Sequence, residues 1–193
     1  MKRFAVTSVS IATGFLALAA SGSVFAQSQS TQLMSGYAEI SHTLDTKSAS
    51  QGQVFSVKLD DSIQAPGGLK LPRGTELIGH VDQVQASHDK GEASMELTFD
   101  KARLKDGQEV PIKATVVGVN YAGAVGEVPM QVAADDTFEQ QTGRSGETLH
   151  SAVQDQDSGT LVRNDRDIRL VSGTKLLIAV ASASTVAATP SGS

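Results

Sequence analysis

Histidine occurs four times, at His42, His80, His88 and His150, and no two stand at a spacing that lets one element ligate a metal. His80 and Asp82 come nearest to a chemical pair. Two residues apart in an alternating stretch, they fall on one face of a strand, where they could ligate together or pass a proton. A polar strand face is the plainer account of the same spacing. The run Asp155-Gln156-Asp157-Ser158-Gly159 has the acidic texture of a calcium loop, but that loop needs glycine sixth and glutamate twelfth. Here Thr160 and Arg166 hold those places, so the run reads as a solvated acidic loop. Gly143-Arg144-Ser145-Gly146 lacks the glycine spacing of a nucleophile elbow and follows no apolar strand. Asp60-Asp61 and Asp135-Asp136 are adjacent pairs, and neighbours on a strand face opposite ways, so Asp60 and Asp61 are not expected to share a proton. No residue is assigned a catalytic, cofactor-binding or metal-binding role, and no cofactor is implied.

The elements that would position these residues centre on Leu69 to Val119. Apolar residues alternate there between the turn signals Pro72-Arg73-Gly74, Asp89-Lys90-Gly91 and Asp106-Gly107. Met95, Leu97 and Phe99 point one way and Glu96 and Thr98 the other; Val110, Ile112, Ala114 and Val116 repeat the pattern. Such a meander seeds an antiparallel sheet. Glu76 to Gln85 is less regular: a bulge near Gly79, or burial on both faces of a central strand, would reconcile its apolar positions. Upstream, Ala38, Ile40, His42 and Leu44 share one side of a weak strand, and Phe55, Val57 and Leu59 share one face of a second. Residues 65–74 form a Pro/Gly-rich loop with room for a very short strand at Leu69–Leu71. From about 120 to 160 periodicity fades into a long mobile loop, with a short strand expected over Glu127–Ala134 and a helical turn or two over Glu147–Gln154. Ile168 and Leu170, a Ser172-Gly173 turn, and Leu176 to Val180 read as closing strands.

The chain opens with Lys2 and Arg3, an apolar stretch from Phe4 to Ala20, and small residues at Val24-Phe25-Ala26. This is the pattern of a secretory signal peptide, residues 1–26, cleaved after Ala26; a retained anchor is the alternative. A flexible leader is expected over 27–36, a β-barrel-like domain over 37–181 and a disordered tail over 182–193. With Lys2 and Arg3 removed, the net charge moves from −5 to −7. An acidic chain with no basic stripe argues against nucleic acid as partner, and no second apolar run is long enough to span a membrane after cleavage. With no cysteine, an exported fold must be held by its core, a usage that fits a bacterial envelope, periplasmic or extracellular.

The blocks LPRGTELIGHV and MELTFDKARLKDGQEVPI resemble the carboxy-terminal β-barrel domain of the TrbI-like periplasmic subunit of type IV secretion and conjugation systems. The resemblance rests on Pro72, Gly74, Thr75, Leu77, Gly79, Phe99, Leu104, Asp106 and Gly107, and on the closing SGTKLLIAV, Ser172 to Val180. It covers residues 37–119 and 167–181. It implies a small antiparallel barrel. That family also carries an inner-membrane helix, a proline-rich linker and a helical projection between late strands, and the 120–160 region here is too polar and glycine-rich to cross a bilayer as a helix. The chain is similar, too, to short exported proteins of unassigned function that keep this barrel core alone.

The expectation is therefore an all-β domain, a small antiparallel barrel or sandwich with one long flexible loop. Its expected role is a non-catalytic, exported envelope module that binds a protein partner or self-associates through a sheet edge or the long loop. The alternative is a secreted enzyme whose site the 120–160 loop completes over His80 and Asp82. A pocket with converging titratable groups beneath that loop separates the two.

Overall fold

The computed structural model describes residues 32–64, 68–121, 131–133, 137–142, 144–152 and 159–182. Among them run fourteen strands: β1 (Gln32–Ile40), β2 (Leu44–Asp45), β3 (Val54–Leu59), β4 (Ile63–Gln64), β5 (Lys70–Leu71), β6 (Glu76–Gln85), β7 (Ala93–Arg103), β8 (Glu109–Asn120), β9 (Gln131–Ala133), β10 (Thr137–Gln141), β11 (Glu147–Ala152), β12 (Thr160–Arg163), β13 (Arg169–Leu170) and β14 (Lys175–Ser182). The signal segment 1–26, residues 27–31 and the tail from 183 lie outside the described residues.

Alternation sets which face each strand buries. In β3, Phe55, Val57 and Leu59 are buried while Val54 is 69% exposed. In β7, Met95, Leu97 and Phe99 turn inward as their spacing predicts. Neighbours in the order β7-β6-β3-β1-β14-β8 are hydrogen-bonded, and β8 pairs back with β7, which closes a six-stranded antiparallel barrel. Its interior is filled by Ile40, Leu77, Val81, Val116, Ile178 and Val180 among others, and Phe55 meets Phe99 edge to face at 5.2 Å between centroids. Each such aliphatic or aromatic side chain contributes about 1.5–3 kcal/mol on burial. The short pairs β2–β13 and β4–β5 add Leu44, Leu170, Ile63 and Leu71 to the same core. Gly74 and Gly107 sit at φ +83 and +86, the left-handed conformation their turns require.

β7 changes partner midway. Phe99–Arg103 pairs with Glu109–Ala114 of β8, whereas Ala93–Glu96 pairs with Arg163–Thr160 of β12. The barrel wall forks there, and β12, β11 and β10 continue outward as a side sheet. Gly159 stands at the fork, its amide carbonyl accepting from Leu97 N; a Cβ on it would lie 2.8 Å from the Leu97 oxygen. β9 pairs separately with Gln32–Met34 of β1.

Four expectations are corrected here. Where a helical turn is expected over 147–154, Glu147–Ala152 is a strand that pairs on both sides and buries Glu147, Leu149 and Ser151 in alternation; 153 and 154 lie outside the described residues. The stretch read as one loop over 120–160 carries β9, β10 and β11 and the first residue of β12. β1 begins at Gln32, within the segment 27–36 assigned to a leader, because Met34 to Gly36 pair with Val180 to Ile178. The weak strand expected through His42 ends at Ile40, and His42 is exposed.

Candidate functional site

The sequence pairs His80 with Asp82, and the structure brings a third group to them. In the β6–β7 ladder His80 faces Thr98. Two irregularities bracket that pair. Ile78 faces Lys101 while Gly79 faces Phe99, so Asp100 is an extra residue in β7; Val81 faces Leu97 while Gln83 faces Glu96, so Asp82 is an extra residue in β6. Bulges re-aim side chains, and these two turn both carboxylates toward the imidazole between them. Gly79 permits the first bulge, since a Cβ there would stand 2.0 Å from the Thr98 carbonyl oxygen.

His80 Nε2 lies 2.7 Å from Asp82 Oδ1, and Nδ1 lies 2.8 Å from Asp100 Oδ2. The Thr98 hydroxyl donates to the other oxygen of Asp82. A neutral imidazole carries one N–H and can donate to only one acid; the protonated ring donates to both. The hydrogen bond to Asp100 is the main cause that raises His80 above the ordinary value of 6.5; partial burial opposes it, and the charges of Asp100 and Asp82 add to it. The cluster sits on the outer barrel face, with His80 33% and Asp100 51% exposed. With an acid at each ring nitrogen, the imidazole ties β6 to β7. The two acids stand on opposite edges of the ring, and among the described residues no group of three or more acids and histidines is placed to hold a metal.

A cleft of about 540 Å³ opens elsewhere on the barrel, lined in part by Glu39, Lys58, Asp60, Arg73, Gly74 and Lys105; His80, Asp82 and Asp100 do not line it. Asp60, paired in the sequence with Asp61, receives Lys175 Nζ at 2.5 Å, and the same ammonium reaches Glu39 at 3.0 Å. The hydrogen bond to Asp60, then that to Glu39, raises Lys175 above its ordinary range. Asp61 is exposed.

A third cluster lies under the side sheet. Glu147 is fully buried; its Oε1 accepts the Thr142 hydroxyl at 2.6 Å, and its Oε2 lies 3.6 Å from Arg163 Nη1. Tyr121 lies against Glu147 and is capped by the Arg144 guanidinium, 3.5 Å above its ring centroid. Burial, then Glu147, pushes the phenol far above its ordinary value. Sequence reading missed this cluster because its members stand in the unpatterned region. Arg144 and Ser145, from the rejected elbow, belong to the turn entering β11; Gly143, Asp135-Asp136 and 155–158 of the acidic run lie outside the described residues. His88 is exposed beside the Asp89-Lys90 turn, and His150 is half-buried on β11.

Fold and site together define an all-β module: a closed six-stranded antiparallel barrel that branches into a side sheet. This is the fold implied by the resemblance to the TrbI-like barrel. No family model and no curated protein matches the chain. Among solved structures it is similar to ComB10 of the Com type IV secretion system of Helicobacter pylori, with a TM-score of 0.40 and 10% identity over 77% of this chain and 85% of that one. No helix of the described residues is long and apolar enough to cross a membrane.

Proposed function

We propose that this chain is an exported, non-catalytic envelope module that assembles through the outer edge of its side sheet. The observation that carries the reading is β10. It pairs with β11 along Thr137–Gln141, and among the described residues no strand lies on its other side. An edge of that kind presents backbone donors and acceptors to an added strand. The barrel strands, by contrast, satisfy one another around a closed ring. The leader composition, Lys2 and Arg3 before an apolar stretch from Phe4 to Ala20 and then Val24-Phe25-Ala26, supports export.

The test is light scattering on the chain from residue 27 onward, with Glu139→Pro and Gln140→Pro beside it. Successive residues of a strand direct their N–H groups to opposite sides. One proline therefore removes a donor from the free edge, and the other breaks the ladder to β11. The expected result is a discrete oligomer that survives dilution and is returned to monomer by the edge-facing proline without a change in unfolding midpoint. An oligomer indifferent to both prolines would rule out the β10 edge. A monomer at every concentration would rule out self-assembly.

A further inference from the structure

We infer that the cleft beside the Pro72-Arg73-Gly74 turn is a binding site for an acidic peptide segment of a protein partner. The cleft lies on the closed barrel, so this inference stands apart from the β10 edge and does not depend on it.

Glu39 and Asp60 are both held by Lys175, which the fold supplies as their own counter-ion. Lys58, which stands across the ladder from Glu39 and Glu76, Arg73 in the turn before β6 and Lys105 in the turn after β7 are all exposed. Among the described residues none of these three has an ion-pair or hydrogen-bond partner. Two of them converge. The side chains of Lys105 and Lys58 pass 3.0 and 3.7 Å, at Cε, from the point where a Cβ on Gly74 would stand. Gly74 holds φ +83 and has no side chain to part them.

Like charges drawn together repel unless an anion joins them. The chain as a whole carries a formal charge of −5, so unpaired cations gathered from three separate turns and strand ends are a local reversal of its field. Lys58, Arg73 and Lys105 come from three different segments, which suits several carboxylates of one chain. The guanidinium of Arg73 offers a planar fork that a carboxylate fits with two hydrogen bonds. Ser41 and Ser172 stand in the same cleft as polar neighbours for a peptide backbone. The cleft, about 540 Å³ and open, has room for several residues of extended chain. The carboxylates of Glu39 and Asp60 in the same cleft disfavour a compact, multiply charged anion such as phosphate more than a chain that spaces its charges.

The experiment is an amide-resolved NMR titration of the full chain with capped hexaglutamate, beside capped hexaglutamine and inorganic phosphate. Hexaglutamate is expected to give saturable shifts centred on Lys58, Arg73, Gly74 and Lys105, and hexaglutamine none. Affinity should weaken several-fold between about 50 and about 200 mM salt. Lys58→Gln/Lys105→Gln should weaken it roughly ten-fold, since each exposed pair is worth up to about a factor of five. Arg73→Gln is the independent second variant, and Lys90→Gln, on a distant exposed turn, should leave binding unchanged. These side chains are exposed and unpartnered, so the variants keep the fold. No saturable shifts at these amides, equal affinity in the double variant, or saturation by phosphate but not by hexaglutamate would each overturn the inference.

Discussion

Glu147→Gln tests how the strands of the side sheet are held to one another. The native carboxylate is fully buried, with one oxygen on the Thr142 hydroxyl at 2.6 Å and the other 3.6 Å from the Arg163 guanidinium. Glutamine keeps the shape and an acceptor for Thr142. It leaves Arg163, whose side chain is only 12% exposed, without a counter-charge. Removing one partner of a buried ion pair costs about 3–5 kcal/mol where the geometry is tight. At 3.6 Å the contact is longer than a hydrogen bond, and Arg163 keeps its donation to the Asp167 carbonyl at 3.5 Å, so the expected loss is about 2–3 kcal/mol. Glu147→Gln/Arg163→Met removes both charges and should recover most of that loss, because no uncompensated ion remains. Urea unfolding of the three variants, with a common slope, measures both quantities. A loss under about 0.5 kcal/mol for Glu147→Gln, or a double variant less stable than Glu147→Gln alone, would refute the reasoning.

The His80 cluster predicts a histidine that titrates above 6.5, with Asp100→Asn and Asp82→Asn each lowering its midpoint; a midpoint unmoved by either variant in an NMR titration would contradict the geometry. Because its folded value is raised, the stability His80 contributes is fully present below 6.5 and is lost as pH rises through the folded value, so His80→Gln should flatten that part of the pH–stability profile. Tyr121 acts at the alkaline end. The unfolded chain releases this proton near 10.0 and the folded chain holds it, so stability falls as pH climbs past 10.0, less steeply in Tyr121→Phe. Equal slopes for the two proteins would remove Tyr121 from the account. Gly79→Ala places a Cβ 2.0 Å from the Thr98 carbonyl oxygen, and opening the bulge to admit it should cost about 3 kcal/mol by thermal unfolding and shift the His80 ring resonances; an Ala variant as stable as the native chain would mean the bulge closes without glycine.

The barrel was legible where a strand buries one face. β3 and the first part of β8 alternate cleanly, β7 buries Met95, Leu97 and Phe99 as their spacing predicts although Glu96, expected to point outward, is buried as well, and the turns carry Gly74 and Gly107 at positive φ. β6 showed a break in phase, and the ladder has two irregularities along it: the shift at Gly79 comes from the extra Asp100 of β7, and the bulge of β6 itself falls at Asp82 rather than Gly79. The cluster was half legible. His80 and Asp82 stand two residues apart, but Asp82 turns toward His80 as the extra residue of a bulge, and Asp100 is twenty residues from His80 in the chain. Strand spacing reports faces and not bulge partners, so Asp100 could not be placed. The side sheet was illegible for another reason. β11 buries Glu147 and Ser151 in alternation with Thr148 and His150, so its inward positions are partly polar and a hydrophobic period cannot mark them.

That polar burial follows from where the side sheet stands. β7 spends its Phe99–Arg103 half closing the barrel on β8 and its Ala93–Glu96 half holding β12. Beyond the fork, β8 continues beside β14, and β11 packs across it, the Ser151 hydroxyl donating to the Val116 carbonyl. A strand laid over a backbone that has just lost its neighbour meets unpaired carbonyls as well as apolar side chains. The Ser151 hydroxyl satisfies one of those carbonyls, where leucine at that position would leave it unsatisfied. The polar inward position that helps hide β11 from the sequence pattern therefore fastens it to β8, and the β10 edge, unpaired among the described residues, is presented on a sheet already continuous with the barrel. An edge held in place loses little freedom when a partner strand adds to it, so the affinity of such an assembly would depend on the fastening beneath β11 as much as on the residues of β10.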